Sequence, residues 1–254
     1  MTLGRPEKKH TLPENGAGRT AAGQPVRNSV LLQIPEEEFL DLKALLEYRT
    51  FEAAARLENE RRPTEAIYFL NEGLGSMIIE TNDGRSVEVG IVGREAMIGS
   101  SLVGGLEEVT YSVVMQVPGN GFRVSAEGFR KLLPTLPVLN QLLTRRLAIR
   151  SVELAQNAAC NRLHNIKQRL SRWLLLSHDR VESDFILITH DFLSRMVGTD
   201  RPTVTIALAE LQRDSIVQPG RGSIFIQNRA GLEQESCECY AVFHRFNTEL
   251  GLRG

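Results

Sequence analysis

The stretch that most constrains this chain runs from Thr189 to Arg213, THDFLSRMVGTDRPTVTIALAELQR, where two helical patterns are separated by a glycine. Phe192, Leu193, Met196 and Val197 recur at helical spacing behind Thr189, which can cap, and Asp191, which suits the positive end of a helix dipole. Gly198 can take the left-handed conformation that closes a helix. Thr199 or Asp200 can then open a second one, with Pro202 tolerated in its first turn. Val204, Leu208 and Leu211 form one apolar face of this second helix, and Arg201, Thr203 and Thr205 lie off it. The pattern is that of a helix-turn-helix, although on spacing alone an αα-hairpin buried in a helical domain fits equally.

The residues that follow favour the first reading. Ser215–Val217 and Ser223–Ile226 read as two short strands around the turn Gln218-Pro219-Gly220-Arg221-Gly222. A helix-turn-helix followed by a β-hairpin is a winged helix. With Ile188-Thr189 at the entry, Val197-Gly198 at the turn and Arg201-Pro202-Thr203-Val204 at the start of the second helix, the segment resembles the DNA-binding domain of the Crp/Fnr superfamily of bacterial transcription regulators. The resemblance extends over roughly residues 30–230 and implies an α+β chain with an N-terminal β jelly roll, a long dimerisation helix and a C-terminal winged helix-turn-helix.

Upstream residues carry the same organisation. Residues 1–28 are polar and rich in Gly, Pro, Lys and Arg, and are expected to be a disordered tail. Pro35 to Leu46 reads as a short amphipathic helix with an acidic first turn. Short apolar runs follow at Ile67–Leu70, Met77–Ile79, Val87–Ile91, Tyr111–Val117 and Phe122–Val124. They are divided by Asn71-Glu72-Gly73, Asn82-Asp83-Gly84 and Pro118-Gly119-Asn120-Gly121, the texture of a small antiparallel barrel or jelly roll. The sensor domain is therefore placed at 29–135, the dimerisation helix at 136–160, the DNA-binding domain at 161–230 and a C-terminal tail at 231–254. An apolar stripe through Ile149, Val152, Ala159, Leu163, Ile166, Leu170 and Trp173 crosses an expected hinge at Asn157–Asn161. Leu142, Ile149, Val152 and Gln156 are the expected dimer contacts, because the superfamily dimerises through this helix.

Charge fits the division. The net charge of the whole chain is −1, but basic residues outnumber acidic ones between Arg130 and Ala230, and the reverse holds elsewhere. The three cysteines, Cys160, Cys237 and Cys239, have no framework spacing, so reduced thiols in a cytoplasmic protein are expected. No run approaches the 18 or so apolar residues of a membrane span. A nucleotide-binding glycine loop, a nucleophile elbow and a metal-binding His pair are all missing from the sequence, so an enzyme is not expected.

The superfamily's cyclic-nucleotide cassette uses a Gly-Glu pair for the ribose and, roughly ten residues on, an Arg for the phosphate. Here Gly99 is followed by Ser100, Thr110 or Val109 stands where the Arg should be, and no Arg or Lys occurs between Arg94 and Arg123. Gly99, Ser100, Ser101, Thr110 and Tyr111 are the candidate pocket residues, with cyclic AMP expected not to be the effector. Without Cys or His the β-region offers no ligand for an iron–sulfur cluster or haem, and no cofactor is expected. Cys237-Glu238-Cys239 with His244 nearby does not match a standard zinc pattern, so no metal is expected either; His164 and His178 read as helix-surface or packing residues.

For DNA, the candidates are Thr189, Asp200, Arg201, Pro202, Thr203, Thr205, Ile206 and Arg221. The superfamily often has Glu and Arg where this chain has Pro202 and Ile206, so its half-site is expected to depart from the usual one. The expected partners are double-stranded promoter DNA of pseudo-palindromic sequence, a second copy of the chain and RNA polymerase, with no membrane. The competing reading is an effector-binding or protein-interaction module without specific DNA binding.

Overall fold

A computed structural model describes residues 18–249, and within them the jelly-roll region, long helix and winged helix-turn-helix follow one another in the expected order. The chain does not wait until residue 29 to become ordered. Thr20–Ala21 (β1) pairs with Gln24–Pro25 (β2), and Arg19 is buried, donating to the Leu31 and Ile34 carbonyls at 2.6 and 2.8 Å. Those carbonyls end helix α1 (Ser29–Gln33), so the arginine satisfies acceptors that have no partner inside the helix. Asn28 caps the other end of α1, and its amide is held by the Leu70 and Ala96 carbonyls, both at 3.0 Å. The polar composition of residues 18–28 thus reflects capping. Residues 1–17 lie outside the described part.

Helix α2 (Glu36–Lys43) buries Phe39 and Leu42 and uses Glu38 at a distance. The Glu38 carboxylate accepts from the Val138 and Leu139 amides at 2.8 Å, capping helix α4 (Pro137–Leu163), which has no cap of its own. Between them lies a five-stranded antiparallel sheet, comprising Glu47–Phe51 (β3), Arg56–Glu58 (β4), Ala66–Glu80 (β5), Ser86–Val92 (β6) and Ser112–Ser125 (β7), followed by helix α3 (Ala126–Leu132). Its order is β3-β7-β5-β6, with β4 also on β7. The Asn82–Gly84 signal makes the β5–β6 hairpin, with Gly84 at φ 80°.

Two other turn signals do not end strands. Asn71–Gly73 and Pro118–Gly121 lie inside β5 and β7 and face one another, Glu72 opposite Asn120, with register shifts on either side. A Cβ on Gly119 would overlap the Glu72 carbonyl, and one on Gly121 the Phe69 carbonyl. These glycines let two long strands bend together at a bulge, which from the sequence is indistinguishable from two separate hairpins.

The long helical region breaks at His164–Asn165 rather than at Asn157–Asn161. Asn165 and Gln168 form a reciprocal capping box, at 3.0 and 3.2 Å, that starts helix α5 (Ile166–Val181). The winged helix-turn-helix region follows as Phe185–Leu187 (β8), His190–Met196 (α6), Arg201–Arg213 (α7), Val217–Gly220 (β9) and Ser223–Ile226 (β10), in a sheet of order β8-β10-β9. Trp173, Leu193, Val204, Leu208, Leu211 and Ile224 are core residues here. Residues 231–249 are not a tail, since Arg229–Glu235 (α8) and Cys239–Glu249 (α9) are helices, with Leu232 and Phe243 buried. Among the described residues no helix is long and apolar enough to cross a membrane.

The sheet, α4 and α5 meet at a cluster of buried charges. Glu95 is fully buried, 2.9 Å from Arg180 of α5 and 3.8 Å from Arg146 of α4, and it also accepts from the Gly93 amide. Arg146 continues to Glu153 at 3.2 Å, and Glu153 to Arg150 at 3.7 Å. Burial alone would raise the Glu95 carboxyl, but Arg180, then Arg146 and Arg150, hold it at about 2. Nearby, the Trp173 indole donates to Glu88 of β6 at 2.8 Å, and burial pushes that carboxyl up to about 7.

Replacing Glu95 with Gln leaves Arg146 and Arg180 buried without their shared counter-charge. Glu95→Gln is expected to cost about 3–5 kcal/mol in urea unfolding. The native Glu95 pKa lies below the unfolded value. Its contribution is therefore complete above about pH 5 and is lost as pH falls toward about 2, a part of the acid dependence that the variant should lack. A variant as stable as its parent at neutral pH contradicts this role.

Candidate nucleic-acid interface

Helix α7 is shaped by its two faces. Val204, Ala207, Leu208 and Leu211 are buried against α6 and α5, while Arg201, Pro202, Thr205, Ile206, Ala209, Gln212 and Arg213 form a continuous exposed strip. Ile206 is 62% exposed on this strip, one of several large apolar side chains so exposed among the described residues. Among the described residues, the Arg201 side chain makes no hydrogen bond or ion pair.

The turn before α7 is held locally. Gly198 sits at φ 65°, and its amide reaches the Arg195 carbonyl. The Asp200 carboxylate accepts from the Thr203 amide at 2.8 Å, and Thr189 caps α6 through the Phe192 amide at 3.1 Å. Both residues are therefore committed to starting helices, and the Thr203 amide is already taken. Thr205 donates to the Arg201 carbonyl at 3.0 Å and lies 3.2 Å from His190 Nδ1, a contact joining the two helices. Sequence spacing did not single out His190; its place beside Thr205 emerges only once the helices cross. Arg221 occupies the exposed two-residue tip between β9 and β10, a shorter turn than the five residues read from sequence. The wing also gains β8 as a third strand, whose alternation is too short to read alone.

The expected effector pocket is assembled only in part. Gly99 adopts φ 83°, and a Cβ there would lie 2.9 Å from Ile67 Cγ2, so the residue serves the turn. Ser100 and Tyr111, with Gly99, line a small space open to solvent, with room for little more than a water molecule. Thr110 is exposed and outside it, and Ser101 is buried beside it. The expected lack of any cation needs correcting, because Arg150 of α4 lines the space. That guanidinium is engaged, donating to the Ile91 carbonyl at 2.8 Å and pairing with Glu153. Also lining the space is Glu58, buried and accepting from Thr64 at 3.1 Å, its carboxyl raised by burial.

Of the four expected dimer residues, only Val152 is exposed, at 40%. Leu142 is buried in the β-domain core, Ile149 packs against that core, and Gln156 donates to Cys239 Sγ at 3.0 Å. The exposed stripe of α4 is Ala148, Val152, Ala155, Ala159 and Leu163, which keeps Val152, Ala159 and Leu163 of the expected apolar stripe and has Ala148 and Ala155 in place of Ile149 and Gln156. Cys237 and Cys239 do not meet His244, whose Nδ1 faces Thr248; they meet Cys160 and His164. His178 lies between Asp184 and Arg229 as a packing residue.

Residues 168–235 match the Crp-like helix-turn-helix domain family. The chain is 23% identical over 203 residues to the global nitrogen regulator of Synechococcus elongatus, covering 76% of this chain and 91% of that protein. Its fold is similar to that of FixK2 from Bradyrhizobium japonicum, with a TM-score of 0.63 at 16% identity over 76% of this chain and 98% of that one. It is also similar to the c-di-GMP responsive global regulator CLP from Xanthomonas campestris, with a TM-score of 0.60 at 18% identity over 75% and 98%.

The turn offers a direct check on the geometry of the α6–α7 unit. Gly198→Ala places a Cβ in the left-handed region and should cost about 1–2 kcal/mol of stability in chemical denaturation. Gly198→Asn, which tolerates that region, should cost less. Equal stabilities for all three proteins would contradict the conformation described.

Proposed function

Since the chain is a DNA-binding transcription regulator of the Crp/Fnr superfamily, we propose that it works as a homodimer reading an inverted-repeat operator through α7, without cyclic AMP. The observation that carries this reading is the exposed strip of α7, on which Arg201 and Ile206 both face solvent. Arg201 opens the helix and can donate two hydrogen bonds to the O6 and N7 edge of a guanine. Ile206, a little over one turn further on, offers only an apolar surface, which fits the methyl group of a thymine. Pro202 and Thr205 flank these two on the same strip, and Arg221 at the wing tip suits a phosphate. Asp200 and Thr203 act indirectly, by fixing where α7 begins, and Thr189 by fixing where α6 begins.

Two copies would meet along Ala148, Val152, Ala155, Ala159 and Leu163 of α4, whose small residues permit close approach of two helices. Operator symmetry would then follow from the twofold axis of the dimer. RNA polymerase is the further partner this reading calls for at a promoter.

Independence from cyclic AMP is supported by the small space near Gly99, by Glu58 inside it, and by the prior engagement of Arg150. A cyclic phosphate placed there would face a carboxylate and would have to take Arg150 from its partners, at a cost of several kcal/mol.

On the operator it selects, Arg201→Ala should weaken binding by about 1–3 kcal/mol and relax preference at one base per half-site. Unchanged affinity and base preference would refute the assignment. In calorimetry, cyclic AMP and cyclic GMP should give no micromolar binding and leave the DNA-binding curve unmoved. Micromolar binding of either, with a matching gain in DNA affinity, would overturn the effector part alone.

A further inference from the structure

All three cysteines of the chain converge on one histidine. Cys160 and His164 stand one turn apart at the end of α4, and Cys237 and Cys239 come from the α8–α9 connection and the start of α9. Cys160 Sγ is 3.5 Å from Cys237 Sγ, Cys239 Sγ is 3.6 Å from His164 Nδ1, and all four residues offer ligand atoms within 4.8 Å of one another. The three thiols are buried, two of them completely.

We propose that Cys160, His164, Cys237 and Cys239 form a closed tetrahedral site for a zinc(II) ion. Bond lengths of about 2.3 Å to sulfur and 2.0–2.1 Å to nitrogen place tetrahedral ligand atoms about 3.5–3.8 Å apart, the spacing of the two measured pairs. A polynuclear iron–sulfur cluster would need its thiolates spread around a wider core. Four protein ligands leave no open position, so the site is structural.

The surroundings supply what such a ligand set needs. Glu238 Oε1 lies 3.2 Å from His164 Nε2, placed to accept a proton from that nitrogen and so to favour the tautomer whose Nδ1 lone pair faces the sulfurs. A carboxylate on the outer nitrogen of a metal-bound histidine fixes ring orientation and raises basicity. Gln156 donates to Cys239 Sγ at 3.0 Å, a hydrogen bond that steadies a thiolate. Binding converts three thiols to thiolates with release of their protons and changes no oxidation state. The resulting single negative charge lies near the buried Arg172 guanidinium, which also covers the Phe243 ring at 5.4 Å.

The bound ion fastens the α8–α9 connection to the last turn of α4, immediately before the break at His164–Asn165. It thereby holds α9 against α4 and α5, behind the DNA-binding region.

The experiment is metal analysis of the full-length protein prepared under reducing conditions after growth with zinc, followed by cobalt(II) titration of the metal-free protein. One zinc per chain is expected, and cobalt(II) should give thiolate charge-transfer and intense tetrahedral ligand-field bands that zinc abolishes. His164→Ala should weaken cobalt and zinc binding and shift the ligand-field bands, while the thiolate charge transfer from the three remaining cysteines persists at saturating cobalt. Glu238→Gln, which keeps all four ligands and is the variant least disturbing to folding, should weaken zinc affinity about 10–100-fold. His244→Ala should change nothing. Metal-free protein without cobalt–thiolate bands, a Cys160–Cys237 disulfide in the reduced preparation, or parental zinc affinity in both His164→Ala and Glu238→Gln would each overturn the proposal. The DNA-binding reading would stand in all three cases, because none of these residues lies on α7.

Discussion

The arrangement of this protein depends on the buried ion cluster around Glu95, where the β-domain, the long helix and the first helix of the DNA-binding region are joined by charge. Glu95 comes from the loop after β6, Arg146 and Glu153 from α4, and Arg180 from α5, and each is nearly inaccessible to water. Taking such groups out of water is costly, and an apolar contact of the same volume would stabilise at least as well. What an ion cluster adds is directionality. A guanidinium two residues out of place leaves a buried charge unpaired, so the cluster admits one relative placement of the three elements and penalises others. The Arg94–Glu182 pair and the Trp173–Glu88 hydrogen bond reinforce the same placement from its edges.

That placement positions α7. The capping box at Asn165 ends the continuity of α4, and α5 then leaves in a direction set by Arg180 and Trp173. The turn at Gly198 rests near Val87 of β6, at 3.5 Å from an added Cβ, while the strip of α7 from Arg201 to Arg213 stays open to solvent. Helices α8 and α9 pack on the long helices, with Tyr240 and Arg229 both bonded to Asp179 of α5. The DNA-binding region is thus gripped through α5 by the β-domain and by the C-terminal helices.

Local chemistry was legible in the sequence and long-range chemistry was not. The bounds of α7, the left-handed Gly198, the cap at Thr189 and the Asn82–Gly84 hairpin follow from residues within a few positions of each other, and each appears as read. Asn71–Gly73 and Pro118–Gly121 misled because a glycine needed for close approach of two strands looks like a glycine needed for a turn. Leu142 and Ile149 of the expected α4 contacts serve the β-domain core, a demand invisible from helical periodicity alone. Arg150 enters the effector space from outside the cassette, as a residue of α4 lining the same space as Ser100 and Tyr111, and no inspection of the cassette itself could have found it. Cys160 and His164 carried a usable signal, two ligand-type residues one helical turn apart, but their partners lie more than seventy positions away.

The central claim is that two copies of α7 present one reading surface to a symmetric DNA site. Selection of DNA from a random pool by the purified protein tests it most directly. Enrichment of an inverted repeat is predicted, with half-site centres about one helical turn, about 34 Å, apart. Enrichment of a single unrepeated element, or of no sequence at all, would contradict it.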